Sequence, residues 1–394
     1  MRVLKWLGLT IVGLLIAGVG YLWVAPPDLL RVGANYTAKM VCSNVFVAGR
    51  DADEVLAVDV QAPGHPLLRL MQLKVDRDMG VVEASLLGFI APGMAVYRGP
   101  ALGCSSLPSL DMADLAELDA AAITRTPALD DELPWPRGSR VEPQINEKLD
   151  AALNDASLIG PGMRAVVVVK NGQIVGERYG DGFDAETPLL GWSATKTVTA
   201  ALIGRAMREG LMEFDTDPGW AAWESDERAS IALVDFMGMA SDLMWNEGYG
   251  SVSDVTRMLY LETDMAAFVA SQPIDATSAT LIGETFNYSS GTTVILNEVL
   301  ERTFDDPAAA LDFPHRALFA PLGMTSAVLE TDASGTFVGS SYLYATARDW
   351  ARLGQFLMQR GVWEGRSLLP TGYVDWMTEP HPASNEGAYG RGQV

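Results

Sequence analysis

The chain has 394 residues, with 50 Asp and Glu against 28 Lys and Arg, a net charge of -22 and 48% hydrophobic residues. That composition describes a globular chain with room for two domains or one large one. It argues against a nucleic-acid partner, because nothing would neutralise the phosphates.

In chain order, Arg2 and Lys5 precede the uncharged run from Trp6 to Ala25, which is long enough to cross a bilayer as a helix. Its apolar region is longer than that of a signal peptide, and Trp23 spoils a small-x-small cleavage site ending at Ala25, although Gly18-Val19-Gly20 offers an alternative site. Residues 1–27 therefore predict an uncleaved inner-membrane anchor, with the N-terminus in the cytoplasm and residues 28 onward periplasmic or extracellular.

Residues 28–110 read as a small extension rich in β structure. Its expected strands are Glu54–Gln61, Leu70–Arg77, Val81–Leu87 and Met94–Tyr97, short runs broken by Gly, Pro and Asp. The only two cysteines, Cys42 and Cys104, are expected to form a disulfide in an oxidising compartment, with two buried free thiols as the alternative. His65, between Gly64 and Pro66, reads as a loop histidine. Residues 111–143 are acidic and proline-bearing, which predicts a connecting segment on the surface.

A second unit covers residues 144–394. Ile145, Leu149, Leu153 and Leu158 predict an amphipathic helix, and Arg164–Lys170 a buried strand. Asn171-Gly172 is the preferred type I′ hairpin pair, so Gln173–Tyr179 returns as the partner strand. From Ser193 to about Thr378 the chain reads as mainly helical, with helices at Val198–Met207 and Thr292–Leu300 and loops at Asp215–Pro218 and Asn246–Gly250.

The chemistry centres on Gly191-Trp192-Ser193-Ala194-Thr195-Lys196-Thr197, at the mouth of the Val198–Met207 helix. Ser193 and Lys196 are three residues apart and so share a helix face. A desolvated Lys196 loses basicity, and its neutral amine can take the Ser193 proton. First-turn N–H groups point toward a developing oxyanion. Other schemes fit less well. The segment lacks the second glycine of a Gly-x-Ser-x-Gly elbow. His315 and His381 are the only histidines after Ser193, and His315 sits in a helix leading to Pro321-Leu322-Gly323-Met324, so a serine–histidine triad is poorly supported. No zinc-ligand spacing occurs, and no metal or other cofactor is expected. Tyr288, in Glu284-Thr285-Phe286-Asn287-Tyr288-Ser289-Ser290-Gly291, is the best candidate to assist Lys196. A nearby ammonium would favour its phenolate form and let it pass protons to the leaving group.

Ser193-x-x-Lys196, Tyr288-x-Ser290 and Pro321-Leu322-Gly323-Met324 occur in the order used by serine β-lactamase-like proteins. The chain resembles the class C β-lactamase and DD-peptidase superfamily, and is most similar to its 6-aminohexanoate-dimer (nylon-oligomer) hydrolase and carboxylesterase branch. Met239–Tyr249, Ala345–Gly354, Gly361–Arg366 and Leu369-Pro370 extend the likeness, which covers roughly residues 144–394. The resemblance implies an α+β fold of the β-lactamase/transpeptidase type: an antiparallel sheet flanked by helices plus a mainly helical lobe, with Ser193 between them. It implies hydrolysis of a small-molecule amide or ester through an acyl-enzyme on Ser193, with Lys196 as general base and Tyr288 assisting. It places Tyr249, Ser290 and Trp192 beside the substrate. A DD-peptidase or β-lactamase acting on cell-wall peptides or β-lactams is the alternative enzyme, and a membrane-tethered binding protein the alternative from another class.

Two departures qualify the resemblance. Ser290 stands where many relatives have asparagine, and supplies one donor instead of two. Relatives also carry a Lys-Thr-Gly or His-x-Gly motif on a strand edging the site. No lysine follows Lys196, and His381 is followed by Pro382-Ala383. The run Gly387–Val394 reads as the start of a strand, so we expect the sequence to be truncated, with a genuine short form as the alternative. The second oxyanion donor and the partner for the edge of the Arg164–Tyr179 hairpin would lie beyond Val394, leaving this form poorly active or unstable.

Overall fold

The computed structural model describes residues 2–142, 146–160, 162–275, 282–384 and 387–394. The N-terminal part contains helix α1 (Arg2–Val24), helix α2 (Asp28–Phe46), a helical turn α3 (Ala52–Val55) running into a π-helical turn (Leu56–Gln61), and strands β1 (Met71–Asp76), β2 (Val81–Leu86), β3 (Ile90–Tyr97) and β4 (Cys104–Ser106). The strands form one antiparallel sheet in the order β1-β2-β3-β4, with Asp76 opposite Val81 and Tyr97 opposite Cys104.

Three expectations for this region need correction. Residues 28–46 form a helix of about five turns laid across β2 and β3. Its polar residues Asn35, Thr37, Lys39, Ser43 and Asn44 are buried along with its apolar ones, which erases the one-sided pattern of a surface helix. Glu54–Gln61 is helical, with Val55 and Val60 buried five residues apart, the spacing of a π-turn and not of a strand. Third, among the described residues no helix is long and apolar enough to cross a membrane, so the anchor expected from residues 6–25 has no support.

Backbone contact fixes how α2 meets its sheet. A Cβ on Gly93 would come within 2.5 Å of the Asn35 backbone N, so only glycine fits there, and Met94 N donates to Asn35 Oδ1 at 3.1 Å. Cys42 on α2 and Cys104 on β4 are bonded as a disulfide with Cα atoms 6.1 Å apart, closing helix onto sheet.

The remaining chain holds α4 (Glu147–Asn154), α5 (Ala156–Ile159), β5 (Ala165–Lys170), β6 (Gln173–Tyr179), β7 (Leu189–Leu190), α6 (Thr195–Glu209), α7 (Leu233–Met237), α8 (Asp254–Leu261), α9 (Met265–Ala270), α10 (Ser290–Glu301), α11 (Pro307–Pro314), α12 (Ala320–Leu322), β8 (Val328–Leu329), β9 (Leu343–Ala345), α13 (Ala347–Met358) and α14 (Tyr373–Thr378). The helix expected from Ile145 to Leu158 is two helices broken at Asp155, which caps the second; Gln144 and Ile145 lie outside the described residues. β5 and β6 form the expected hairpin, with Asn171 and Gly172 both at positive φ, as a type I′ turn requires. A second antiparallel sheet runs β7-β9-β8. Within 387–394, where a strand was expected, Gly390 makes an isolated bridge to Pro380. Gln393 inserts its side chain between α7 and α10, accepting from Thr293 Oγ1 and donating to the carbonyls of Phe236 and Met237.

Residues 111–142 are more than a surface connector. Trp135 is buried, and Arg352 on α13 donates to the carbonyls of Pro136 and Gly138, which follow it in the chain. The N-terminal part is joined to the rest through a buried polar knot. Lys39 on α2 pairs with Glu330, just after β8, at 2.5 Å, and both side chains are fully buried. Ser43 Oγ and Cys104 N donate to the same carboxylate, and the ammonium lies 4.0 Å from the Tyr342 ring centroid. Every acceptor oxygen is thus met, the condition for a buried ion pair to be tolerated.

Candidate active site

Ser193 is presented by a strand, a sharp turn and a helix in succession. β7 pairs with β9 and delivers Gly191, whose N–H donates to Leu343 O. A Cβ on Gly191 would fall 2.3 Å from the Trp350 ring, so the turn needs glycine. Trp192 takes φ 44°, a conformation that non-glycine residues rarely hold, and a 3-10 turn (Trp192–Ala194) leads into α6. Ser193 is left exposed at the start of the helix, while Lys196, one turn in, is 1% exposed.

The Lys196 amino group has three oxygen neighbours: Ser193 Oγ at 3.3 Å, Ser290 Oγ at 3.0 Å and the Ser340 carbonyl at 3.1 Å. Burial pulls its pKa down from the usual 10.5 to about 8, against the opposing pull of Glu247. Ser290 opens α10. It is buried, and its hydroxyl donates to Glu247 Oε1 at 2.5 Å. With its single proton committed there, Ser290 can only accept from Lys196. A neutral amine has two N–H bonds and one lone pair. The Ser290 and Ser340 oxygens take the two protons, which aims the lone pair at Ser193.

Tyr288, in the turn before α10, places its ring 4.9 Å from Lys196 Nζ, and its phenol interacts with the Ser193 side chain. The expected shift toward phenolate does not occur. Burial, helped by the Glu247 charge, raises the Tyr288 pKa, with only the Ser193 interaction pulling it down, so the phenol stays protonated. Tyr389 stands edge-on to Tyr288 at 5.8 Å.

Glu247 is the residue that sequence reasoning missed. It lies in the loop before α8 and accepts from Ser290 N, Ser290 Oγ, Trp245 Nε1 and Tyr249 OH. A carboxylate at the N-terminus of α10 is also favoured by the helix dipole. A lone glutamate in a loop has no spacing signature, and its partner Ser290 is 43 residues away. Tyr249 is 58% exposed and donates to Glu247 at 3.2 Å. Trp192 and Tyr249 both line a cavity that opens onto Ser193. The two late histidines lie elsewhere: His315 is buried edge-on to Phe319, and His381 accepts from Ala383 N within its own turn. Among the described residues no group of His, Cys, Asp or Glu could hold a metal ion.

A profile of the family described as Beta-lactamase matches residues 156–390, more than half of the chain. The chain belongs to the β-lactamase family. It is a serine hydrolase of that family, with the β-lactamase/transpeptidase-like α+β fold. A Bacillus anthracis protein assigned by name as a 6-aminohexanoate-dimer hydrolase is 21% identical, with 70% of this chain and 74% of that one covered and a TM-score of 0.50; that likeness concerns the fold alone. A Bacteroides dorei protein assigned by name as a β-lactamase is 22% identical over 57% of this chain and 71% of its own, with a TM-score of 0.47. A D-stereospecific amidohydrolase from Streptomyces is 17% identical over 55% and 72%, with a TM-score of 0.40. No match was found among curated proteins. In this β-lactamase-family chain, α2 and the β1–β4 sheet precede the matched residues.

Proposed function

We propose that this β-lactamase-family hydrolase cleaves an amide or ester bond through an acyl-enzyme on Ser193. The observation that carries the reading is the buried Lys196 amine, of lowered basicity, 3.3 Å from Ser193 Oγ with its two N–H bonds occupied elsewhere. Ser193 Oγ attacks the carbonyl carbon as its proton passes to neutral Lys196. On collapse of the tetrahedral intermediate, the carbonyl-to-leaving-group bond breaks. Tyr288 gives its phenolic proton to the departing nitrogen or oxygen and regains one from the Lys196 ammonium. Water then attacks the acyl-enzyme, gives up a proton to the same pair, and restores Ser193. Ser290 and Glu247 are positioning residues, since they act on Lys196 and not on substrate.

The Cys42–Cys104 disulfide supports an oxidising compartment, periplasmic or extracellular, as the place of action. Mass spectrometry after exposure of the full-length protein to a fluorophosphonate, and separately to a penicillin, tests the reaction. We expect a fluorophosphonate adduct on Ser193. Folded protein that takes up neither reagent there would refute the proposal, and a penicillin adduct that turns over would move the substrate to β-lactams.

A further inference from the structure

The cavity in front of Ser193 is about 480 Å³, within the range of small-molecule sites, and most of its wall comes from residues outside the family match. Leu29, Leu30 and Val32 from α2, and Leu67, Leu68 and Met71 from the approach to β1, form its apolar side; Tyr36, Tyr249 and Tyr260 close it. Among the described residues no Asp, Glu, Lys or Arg lines it. His65, which lines it, uses Nδ1 to accept from Leu67 N. Lys196, Tyr288, Ser290 and Glu247 do not line it either, although Trp192 and Ser193 do.

We infer that the N-terminal part of the chain builds an acyl pocket, and that the substrate carries an uncharged, extended aliphatic chain on its scissile carbonyl. The inference rests on the proposed acyl-enzyme chemistry and adds the substrate class to it. Two arguments fix the occupant. A charged chain entering this cavity would lose its hydration with no countercharge to replace it. The leaving group must meet Tyr288 and Lys196 to be protonated, and neither lines the cavity, so the cavity holds the part of the substrate that stays on Ser193.

Gly33 shows how closely this wall is fitted. A Cβ there would lie 3.0 Å from Met71 Cε and 3.2 Å from Leu68 Cδ2, the movable tips of two side chains that line the cavity. Gly33→Val therefore pushes those tips into the space that an acyl chain would fill.

The test is kcat/KM of the full-length protein for p-nitrophenyl esters from acetate to decanoate. Each buried methylene is worth about 0.8 kcal/mol, or roughly fourfold, so octanoate should exceed acetate by at least about 100-fold. The 6-aminohexanoyl ester should fall at least about 100-fold below hexanoate, because its ammonium would be buried unpaired. Gly33→Val, and the milder Leu29→Ser, should each cut the octanoate-to-acetate ratio about tenfold. Octanamide binding to Ser193→Ala, measured by calorimetry against acetamide, makes the same comparison without turnover. A flat chain-length series with Ser193 labelled by fluorophosphonate overturns this inference and leaves the acyl-enzyme standing; absence of labelling overturns the acyl-enzyme instead. A length dependence seen only in alkyl acetates, on the alcohol side, also overturns it.

Discussion

Replacing Glu247 by glutamine should move the acidic limb of the pH–rate profile to lower pH. Glu247 is linked to Lys196 by two bonds in series, 3.0 Å from Nζ to Ser290 Oγ and 2.5 Å from Oγ to Oε1, which puts the carboxylate oxygen within about 5.5 Å of the amine. At that separation a unit charge pair is worth about 3 kcal/mol at an effective dielectric of 20, and about 0.8 kcal/mol in bulk water. The carboxylate favours the ammonium and so raises the Lys196 pKa. Removing it lowers that pKa by about one unit, within limits of roughly 0.5 and 2. The reaction needs the neutral amine, so the wild-type rate should rise with an apparent pKa near the value of about 8 held by Lys196. In Glu247→Gln the rise should centre about one unit lower, with a reduced plateau, because a weaker base abstracts the proton less readily. The assay is kcat/KM against pH for a neutral ester. A limb that stays in place, or moves upward, would show that Lys196 is not the titrating base.

Three further sets of substitutions probe stability, the first of them chemistry as well. Lys196→Met should abolish turnover yet stabilise the fold by about 3 kcal/mol at pH 7, because folding holds this amine at about 8 in place of 10.5. The unfolded state binds the extra proton between those values, so the lysine's cost is complete below pH 8 and fades as pH rises toward 10.5; urea unfolding at pH 7 and 10 measures it. Glu330→Gln or Lys39→Met alone should cost about 3–5 kcal/mol by leaving one buried charge unpaired, while Lys39→Met with Glu330→Leu should cost less than either single change. Denaturation midpoints decide between additivity and that reversal. Cys42→Ser should cost about 4 kcal/mol, the chain-entropy value for a loop closed over a separation of 62 residues, seen as a lower midpoint in urea that matches the reduced wild-type protein.

Much of the candidate site was legible in the sequence because it is written in local spacing. Ser193 and Lys196 are one helical turn apart, and Tyr288 and Ser290 flank the cap of α10. The Asn171-Gly172 turn was equally readable, since its two positive φ angles restrict the residues that fit. What could not be read depends on distant partners. The polar residues of α2 look exposed in sequence, and their burial depends on partners elsewhere, such as Glu330, 291 positions from Lys39, and Met94, 59 positions from Asn35. The protonated state of Tyr288 turns on its burial and on the Glu247 charge, neither visible in its own turn. The apolar wall facing Ser193 comes from residues that precede it by more than a hundred positions.

The central claim is that neutral Lys196 deprotonates Ser193, and the rate of covalent labelling of Ser193 by a fluorophosphonate as a function of pH measures that step without substrate recognition. The account predicts a labelling rate that rises through an apparent pKa of about 8, an adduct mapped to Ser193, and loss of the labelling in Lys196→Met. Labelling of Ser193 that is independent of pH between 6 and 10, or that persists in Lys196→Met, would contradict it.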